Sequence, residues 1–517
     1  MKPLQTLSIV SPGFFGLNTQ ESGVTLSSNF AQLTDNVVID KYGRLGSRKG
    51  WQMKTDSGAI TLSNNSIDFL MEHINADDTA VTISGAINKL FKAGDDNDVL
   101  VDITPAAYTI TANNWKGATL YDHALLVQDG HEPVVYTESA SPVTQTLSTY
   151  TGGAASFGTN YPRDVLAAYG RFWVHDGSTI YWTTDIADVA FPAFSGGTSG
   201  TLNISSVLPN NVDTIIAIAS HNGFLIIFCE HNIVIYKGAD NPLGDFMLND
   251  VITGVGCISR DSIAYTGGDL IFLSDTGVRS LGRIIQEKSL PMRDLTKNVR
   301  DDLLKDVIEE KSNAGDLSNV KAVYSEIYAF YLLSFPSTST VYCLDMRQPL
   351  EDGSARVTQW YTYQATSFLR TRDRRVLIGK TNGIGLYAGN TDNGEAYRLR
   401  YFSHYLDLDS PTTVKILKQI KATVIGGSNQ SFVIKAGFDY STAARSYPFT
   451  IVDRGVSEFG IAEYGVSEFS FGINLDSIKS SVGGSGTTIQ IGFEADVNGS
   501  ELSVQKLDIF VKTGRTN

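Results

Sequence analysis

Short apolar runs, each followed by a polar turn and a second apolar or aromatic run, recur through the middle of this chain. The seven instances begin at Thr79, Asp122, Gly170, Asn222, Gly268, Glu326 and Arg374, at spacings of 43 to 58 residues. Two β-rich runs joined by a turn containing Gly or Asn are typical of a β-hairpin. Hairpins repeated at this period indicate the blades of a β-propeller.

A small sheet cannot bury both of its faces alone, whereas blades stacked around an axis cover one another. We therefore predict a mainly β fold, with a propeller of six or seven blades over residues 59–394. The alternative is a series of unrelated meanders in sandwiches.

One segment within this region has helical rather than strand periodicity. Its spacing predicts a helix over about residues 294–310, packed on the propeller. The apolar stripe consists of Leu295, Val299, Leu303 and Val307, widened by Leu304 and Ile308. The outer face either meets solvent or forms a subunit contact, for which Arg300 and Lys305 are candidates.

Residues 395–517 lack the hairpin repeat and show alternating apolar and polar positions, which predicts an antiparallel β-sandwich. Within it, the sequence GVSEF at residues 455–459 recurs ten residues later. Two short strands joined by a turn explain this repeat, and a partner-contact patch is the alternative. The candidate contact residues are Glu458, Phe459, Tyr464, Glu468 and Phe469.

The segment NVVIDKYGRLGSRKGW, Asn36 to Trp51, predicts a tight hairpin within an N-terminal arm over residues 1–58. Strands 36–40 and 44–48 flank a three-residue loop. In that loop Gly43 takes the left-handed conformation that such turns require.

This register places Asp40 opposite Arg44 and Asn36 opposite Arg48, with Ile39 opposite Leu45 on the apolar face. We interpret the two arginines as fasteners of the hairpin. Lys41 and Lys49 are then free to contact a neighbouring subunit. The interface candidates of this segment are Lys41, Arg44, Arg48, Lys49 and Trp51.

The bulk composition excludes some functions. The net charge is −14, so phosphate neutralisation is not expected to hold nucleic acid. Cys229 and Cys343 lie in apolar runs, and the odd count of three cysteines predicts buried thiols rather than disulfides. No apolar run is long enough for a membrane span, and no leader peptide is expected.

No catalytic motif for acyl or phosphoryl transfer or for zinc proteolysis occurs in the sequence, so we expect no enzyme, no cofactor and no metal site. The alternative function is a glycan-binding or glycan-cleaving propeller acting at a cell surface. It needs aromatic side chains around a pocket, and the compact cluster available is Trp173, Tyr181 and Trp182.

The phrase SPGFFGLNTQ, Ser11 to Gln20, followed by the hairpin segment, resembles the opening of tail nozzle or hub (packaged-DNA stabilisation) proteins of short-tailed bacteriophages. The phrases DVLAAYGRFWVHDGSTIYWTTDIAD from Asp164 and IIAIASHNGFLIIFCEHNIVIYKG from Ile215 are similar to the same family. The resemblance covers about residues 11–395. Lys49 departs from the pattern, which has Pro before the Gly.

That family implies a structural virion protein, made in the host cytoplasm and built into the tail. Six copies form a ring that continues the DNA exit channel below the portal and adaptor proteins, retains packaged DNA and anchors tail fibres or tailspikes. Double-stranded DNA passes without sequence-specific binding. The acidic composition agrees with this expectation, because a negative channel wall repels DNA.

Overall fold

A computed structural model gives the fold of the chain and shows a β-propeller joined to a β-sandwich. The residues it describes are 4–11, 13–23, 26–56, 62–93, 99–106, 108–110, 114–151, 157, 160–187, 191, 193–208, 213–286, 294–408, 410–441, 444–451 and 475–516.

Seven antiparallel sheets within this part of the chain form the propeller, and we number them as blades 1 to 7 in chain order. In blades 1 to 4 the first strand in the sequence lies nearest the propeller axis, and the following three strands lie successively farther out. Blade 1 contains Phe69–Ile74, Ala80–Ala86, Lys89–Ala93 and Val101–Asp102, and blade 2 contains Lys116–Leu120, His123–Gln128, His131–Tyr136 and Thr144–Thr146. Blade 3 contains Asp164–Ala168, Arg171–His175, Thr179–Trp182 and Gly200–Asn203, and blade 4 contains Ile215–His221, Phe224–Cys229, Asn232–Lys237 and Met247–Thr253.

Blades 5 to 7 differ from this pattern in two places. Blade 5 has three strands, and the outermost strand of blade 7 comes from the N-terminal region. Blade 5 contains Ala264–Tyr265, Leu270–Ser274 and Gly277–Ser280, and blade 6 contains Lys321–Ser325, Phe330–Phe335, Thr340–Asp345 and Arg356–Trp360. Blade 7 contains Ser367–Arg370, Val376–Lys380, Gly383–Tyr387 and Trp51–Asp56.

An apolar cluster fills each interval between successive blades, including the interval between blade 7 and blade 1. The ring of blades is therefore closed. The strand Trp51–Asp56 fastens it by pairing with Gly383–Tyr387. The prediction of a propeller of six or seven blades is confirmed.

The β-sandwich combines strands from both ends of the chain. One sheet has the order Leu475–Gly486, Thr413–Gly426, Leu502–Thr516, Leu45–Ser47 and Val37–Ile39, with Leu4–Val10 also on Leu502–Thr516. The other has the order Gly16–Leu17, Phe30–Asp35, Tyr397–Ser403, Ile489–Val497, Ser431–Phe438 and Arg445–Thr450. A single apolar core lies between the two sheets.

The N-terminal arm is therefore divided between the two units. Strands from Leu4–Val10 to Leu45–Ser47 belong to the sandwich, and Trp51–Asp56 belongs to the propeller. The sequence-based boundaries at 58 and 394 follow the hairpin repeat. They miss the pairing of Leu4–Val10 with Leu502–Thr516, which is a contact between distant segments.

The long helix Arg300–Ala314 begins six residues later and ends four residues later than the range predicted from the sequence. Residues 294–296 instead bond to blade 5, where Leu295 N–H donates to the Val278 carbonyl at 2.8 Å. Gly315, at φ +85°, ends the helix with its N–H on the Lys311 carbonyl. The other helices within the described residues are short and comprise Leu147–Thr151, Ile204–Ser206, Arg260–Ser262, Leu281–Gln286 and Lys297–Val299.

The apolar stripe of this helix packs between blades 5 and 6 through Leu303 and Val307. Ile308 was expected to widen the stripe, but its side chain is 67% exposed. The prediction for Ile308 was wrong because the contact with the sheets covers only one narrow face. Elsewhere the three cysteines are free and buried, as predicted.

Candidate functional site

A cleft lies where the propeller, the hairpin and the sandwich meet, and we call it the junction cleft. It has a volume of about 720 Å³. The hairpin lines one side, the blade 6 turn at 327–330 a second, and sandwich residues 425–428 and 500–503 a third. The two units and the N-terminal arm therefore build it together.

The hairpin forms with the register that the sequence predicts. Val38 pairs with Gly46 and Ile39 with Leu45, and Gly43 has φ +71°. The Asp40 carboxylate accepts hydrogen bonds from the N–H groups of Tyr42 and Arg44, at 2.8 and 3.0 Å. These bonds hold the turn at the mouth of the cleft.

Four cationic side chains and two carboxylates line the junction cleft. The cations are Lys41, Arg44, Lys49 and Arg347, and the anions are Asp40 and Glu501. Arg44 lies 3.4 Å from Asp40, as predicted. Lys49 was expected to be free, but it pairs with Glu501 of the sandwich at 2.5 Å. Lys41 is exposed and lies over the Tyr42 ring.

Arg48 does not face the cleft, because its side chain is completely buried behind it. Its Nε donates to the Asn36 side chain at 2.7 Å, as the register predicts. Its two Nη groups donate to Asp392, at 2.8 and 2.7 Å. Burial opposes the charge, but the hydrogen bond to Asp392, the charge of Asp392, and Tyr363 and Tyr397 together raise the pKa of Arg48.

Lys380 is a second buried cation near Arg48. Its Nζ donates to the Tyr363 carbonyl and lies 4.7 Å from the centre of the Trp51 ring. Burial lowers the pKa of Lys380 to about 7. Trp51, an interface candidate from the sequence, is half-buried and serves as the first residue of the closing strand.

The segment that opens the sequence resemblance joins the sandwich to the helix region. Phe14 lies in the sandwich core, and Leu17 packs with the helix and blade 6. Thr19 N–H donates to the Asn298 carbonyl at 2.9 Å. The buried Asn18 side chain accepts from the N–H groups of Gln20 and Glu21. This segment therefore has a structural role.

An ion cluster at the propeller axis was missed by the sequence reasoning. Asp261 accepts from Lys116 of blade 2 at 3.0 Å, from Lys321 of blade 6 at 2.6 Å, and from Arg260 at 2.8 Å. Burial opposes the charge of Asp261, but these cations bring its pKa well below the usual value. Because blades 2 and 6 face each other across the ring, the cluster obstructs the axis.

The remaining interface candidates lie apart from the junction cleft. Arg300 pairs with the buried carboxylate of Asp294, with its Nε at 2.8 Å, so it anchors the helix. Lys305 lies on the exposed helix face. The candidates Glu458, Phe459, Tyr464, Glu468 and Phe469 lie outside the described residues.

The aromatic cluster proposed for glycan binding belongs to the core. Trp173 and Trp182 are buried and pack against each other with their rings tilted by 35° and the ring centres 5.4 Å apart. Tyr181 donates to the Asp176 carboxylate at 3.0 Å. The two tryptophans fill the core between blades 3 and 4, so they do not provide the exposed pocket wall that the glycan-binding alternative needs.

One group of possible metal ligands occurs within the described residues, namely Asp213, Glu230 and His231. The Asp213 carboxylate already accepts from the Asn232 side chain at 2.6 Å and from the His231 N–H. These hydrogen bonds to Asp213 stabilise the turn at residues 230–232. Among the described residues, no helix has the length and apolar character needed to cross a bilayer.

The chain matches no protein-family model, and no curated protein matches it in sequence. Solved structures with a similar fold are β-propellers. YCF48 bound to a D1 peptide has 10% identity and a TM-score of 0.38, over 66% of this chain and 98% of that one. The WD40 domain of Neurospora crassa Pan2 has 7% identity and a TM-score of 0.39, over 66% of this chain and 95% of that one.

A third similar structure is PorZ, a surface component of the type-IX secretion system of Porphyromonas gingivalis. It has 12% identity and a TM-score of 0.35, and the match covers 78% of this chain and 46% of that one. Similarities at identities this low give no information on the partners or the activity of this chain.

Proposed function

We propose that this chain is a subunit of the tail nozzle of a short-tailed bacteriophage, a ring that continues the DNA exit channel and anchors tail fibres or spikes. The observation that carries the proposal is the location of two of the segments that resemble that family. SPGFFGLNTQ and the hairpin both join the propeller to the sandwich. Such segments fix the shape of a subunit, as a structural role requires.

The closed propeller axis supports one feature of this proposal. DNA does not pass through an individual propeller, because the ion cluster of Asp261 with Lys116 and Lys321 obstructs it. The channel is instead the space enclosed by several subunits. A net charge of −14 gives such a wall a repulsive potential toward DNA.

The assembly is tested on the full chain by native mass spectrometry and on particles that carry it by electron microscopy. We expect a ring of six copies below the portal. Particles that contain the chain only as separate single copies would overturn the proposal.

The expectation that the channel wall does not bind DNA is tested by gel retardation of double-stranded DNA at low salt. We expect no retention, since an acidic chain releases few counterions from DNA. Salt-sensitive retention by the wild-type chain would contradict this part of the proposal.

A further inference from the structure

An exposed apolar and acidic surface lies on the outer edge of blade 4, and we call it the blade 4 patch. Leu243, Met247 and Leu248 have exposed fractions of 62%, 56% and 44%. Asp240 and Asp245 are exposed within the same turn, and Asp250 lies on the strand that follows. Lys237, the cross-strand partner of Met247, is an exposed cation at the edge of this surface. Exposed large apolar side chains clustered with an excess of carboxylates indicate a binding surface.

The blade 4 patch rests on a firm support. Phe246, within the turn, stacks on Tyr236 with ring centres 4.6 Å apart and also packs against Trp173 and Trp182. The turn itself is closed by the Asp245 N–H on the Asn241 carbonyl at 2.9 Å. Because the support is preorganised, binding there costs little ordering of the chain.

The junction cleft has complementary chemistry. Four cations and two carboxylates line it, although the whole chain is acidic. Arg44 and Lys49 are paired with those two carboxylates, and Arg347 is paired with Asp345 at 2.7 Å. The excess positive charge at the cleft is therefore that of the exposed Lys41. Ile327 and Tyr42 at the cleft are 60% and 56% exposed, which provides apolar surface beside Lys41. An exposed cation beside apolar walls fits an acidic segment that carries apolar side chains.

We propose that the blade 4 patch of one copy docks into the junction cleft of a second copy of this chain. The cleft lies beside blades 6 and 7, so patch and cleft occupy different sides of the propeller. One contact therefore leaves a free patch and a free cleft at the two ends of a pair. A head-to-tail contact of this type generates a closed ring when its rotation fits.

This inference rests on the proposed ring assembly and names its interface. The direct test places the photoreactive residue p-benzoylphenylalanine at Leu243 in the full chain and maps the cross-linked peptides by mass spectrometry. Mixing isotopically heavy and light copies separates links between copies from links within one copy. We expect links between copies to the hairpin at 38–49 or to the turn at 327–330.

Substitutions measure how much the blade 4 patch and the junction cleft contribute to the free energy of self-association. The pair Leu243→Ser and Met247→Ser should weaken self-association about tenfold or more, since it removes apolar contact. Lys41→Glu alone should also weaken it, and Asp240→Lys in the same chain should restore part of the loss. The matched control is Ile308→Ser, an equally exposed apolar residue outside both surfaces.

Three outcomes would overturn the proposed interface: links between copies that map elsewhere, no link between copies, or a larger loss with Ile308→Ser than with the Leu243 and Met247 pair. A six-membered ring in the particle combined with links elsewhere refutes only the interface. Single copies in the particle refute the proposed function itself.

Discussion

The guanidinium of Arg48 and the carboxylate of Asp392 form a bidentate ion pair between residues 344 positions apart, at 2.8 and 2.7 Å. Arg48 follows the hairpin, and Asp392 lies between the last propeller strand and the first C-terminal sandwich strand. The pair also contacts Asn36 through Arg48. It therefore fixes the position of the arm where the two units meet.

Breaking this pair should destabilise the protein strongly. Asp392→Ala leaves the buried Arg48 charge without its counter-ion, for which we expect a loss of about 3 kcal/mol in the free energy of unfolding. Chemical denaturation measures the change. The matched control is Glu501→Ala, which removes the half-exposed partner of Lys49 and should cost less than about 1 kcal/mol. Equal losses in both variants would contradict the central role of Asp392.

Lys380 should make stability depend on pH. Its pKa is about 7 in the folded chain and 10.5 when unperturbed, so between these values the unfolded chain binds the additional proton. The free energy of unfolding therefore rises with pH across this window, by at most about 1.4 kcal/mol per pH unit. Denaturation curves of wild type and Lys380→Met at several pH values isolate the effect.

We expect the stability of Lys380→Met relative to wild type to fall as the pH rises from about 7 toward 10. Lys305→Met, at an exposed position, is the control and should show no such trend. A difference between wild type and Lys380→Met that does not change with pH would show that Lys380 titrates normally.

The turn of the hairpin depends on Gly43, at φ +71°. Gly43→Val places a β-branched residue in the left-handed region and should cost about 2 kcal/mol or more, with loss of folding or assembly. Gly43→Asn should cost less, because Asn tolerates this conformation. Thermal unfolding and the extent of ring formation are the measurements. Unchanged assembly of Gly43→Val would show that the turn adapts.

The ion cluster around Asp261 at the propeller axis should contribute more to the free energy of unfolding than a surface ion pair does. Asp261→Asn removes the carboxylate charge that Lys116, Lys321 and Arg260 share, and we expect a loss of about 3–5 kcal/mol in the free energy of unfolding. Asp129→Asn, which removes the half-exposed partner of Arg163, should cost under about 1 kcal/mol. Calorimetric unfolding of the two variants compares them. A small effect of Asp261→Asn would indicate that water solvates the cations at the axis.

Local patterns in the sequence predicted the hairpin well. The register around Gly43 follows from turn chemistry and alternation over a dozen residues, and the structure reproduces it. The blade repeat is equally local, because each hairpin contains its own turn. The helix was placed correctly on the propeller, but its ends depend on bonds from residues 294–296 to blade 5.

Contacts between segments that are far apart in the sequence could not be predicted from the sequence. The Asp261 cluster draws Lys116 and Lys321 from separate blades, and neither lysine stands out in its own strand. The Arg48 side chain was correctly paired with Asn36, yet its contact with Asp392 depends on how the arm crosses between the two units. The junction cleft is likewise formed by three remote segments, so its lining could not be read from any one of them.

The interweaving of the chain ends has a consequence for synthesis on the ribosome. The strand Leu4–Val10 pairs with Leu502–Thr516, and the strand Trp51–Asp56 closes a blade whose other strands start at Ser367. Each of these two strands therefore emerges long before the strand with which it pairs. During that time the nascent chain exposes unpaired strand edges. A protein released before its last strand lacks the partner of its first.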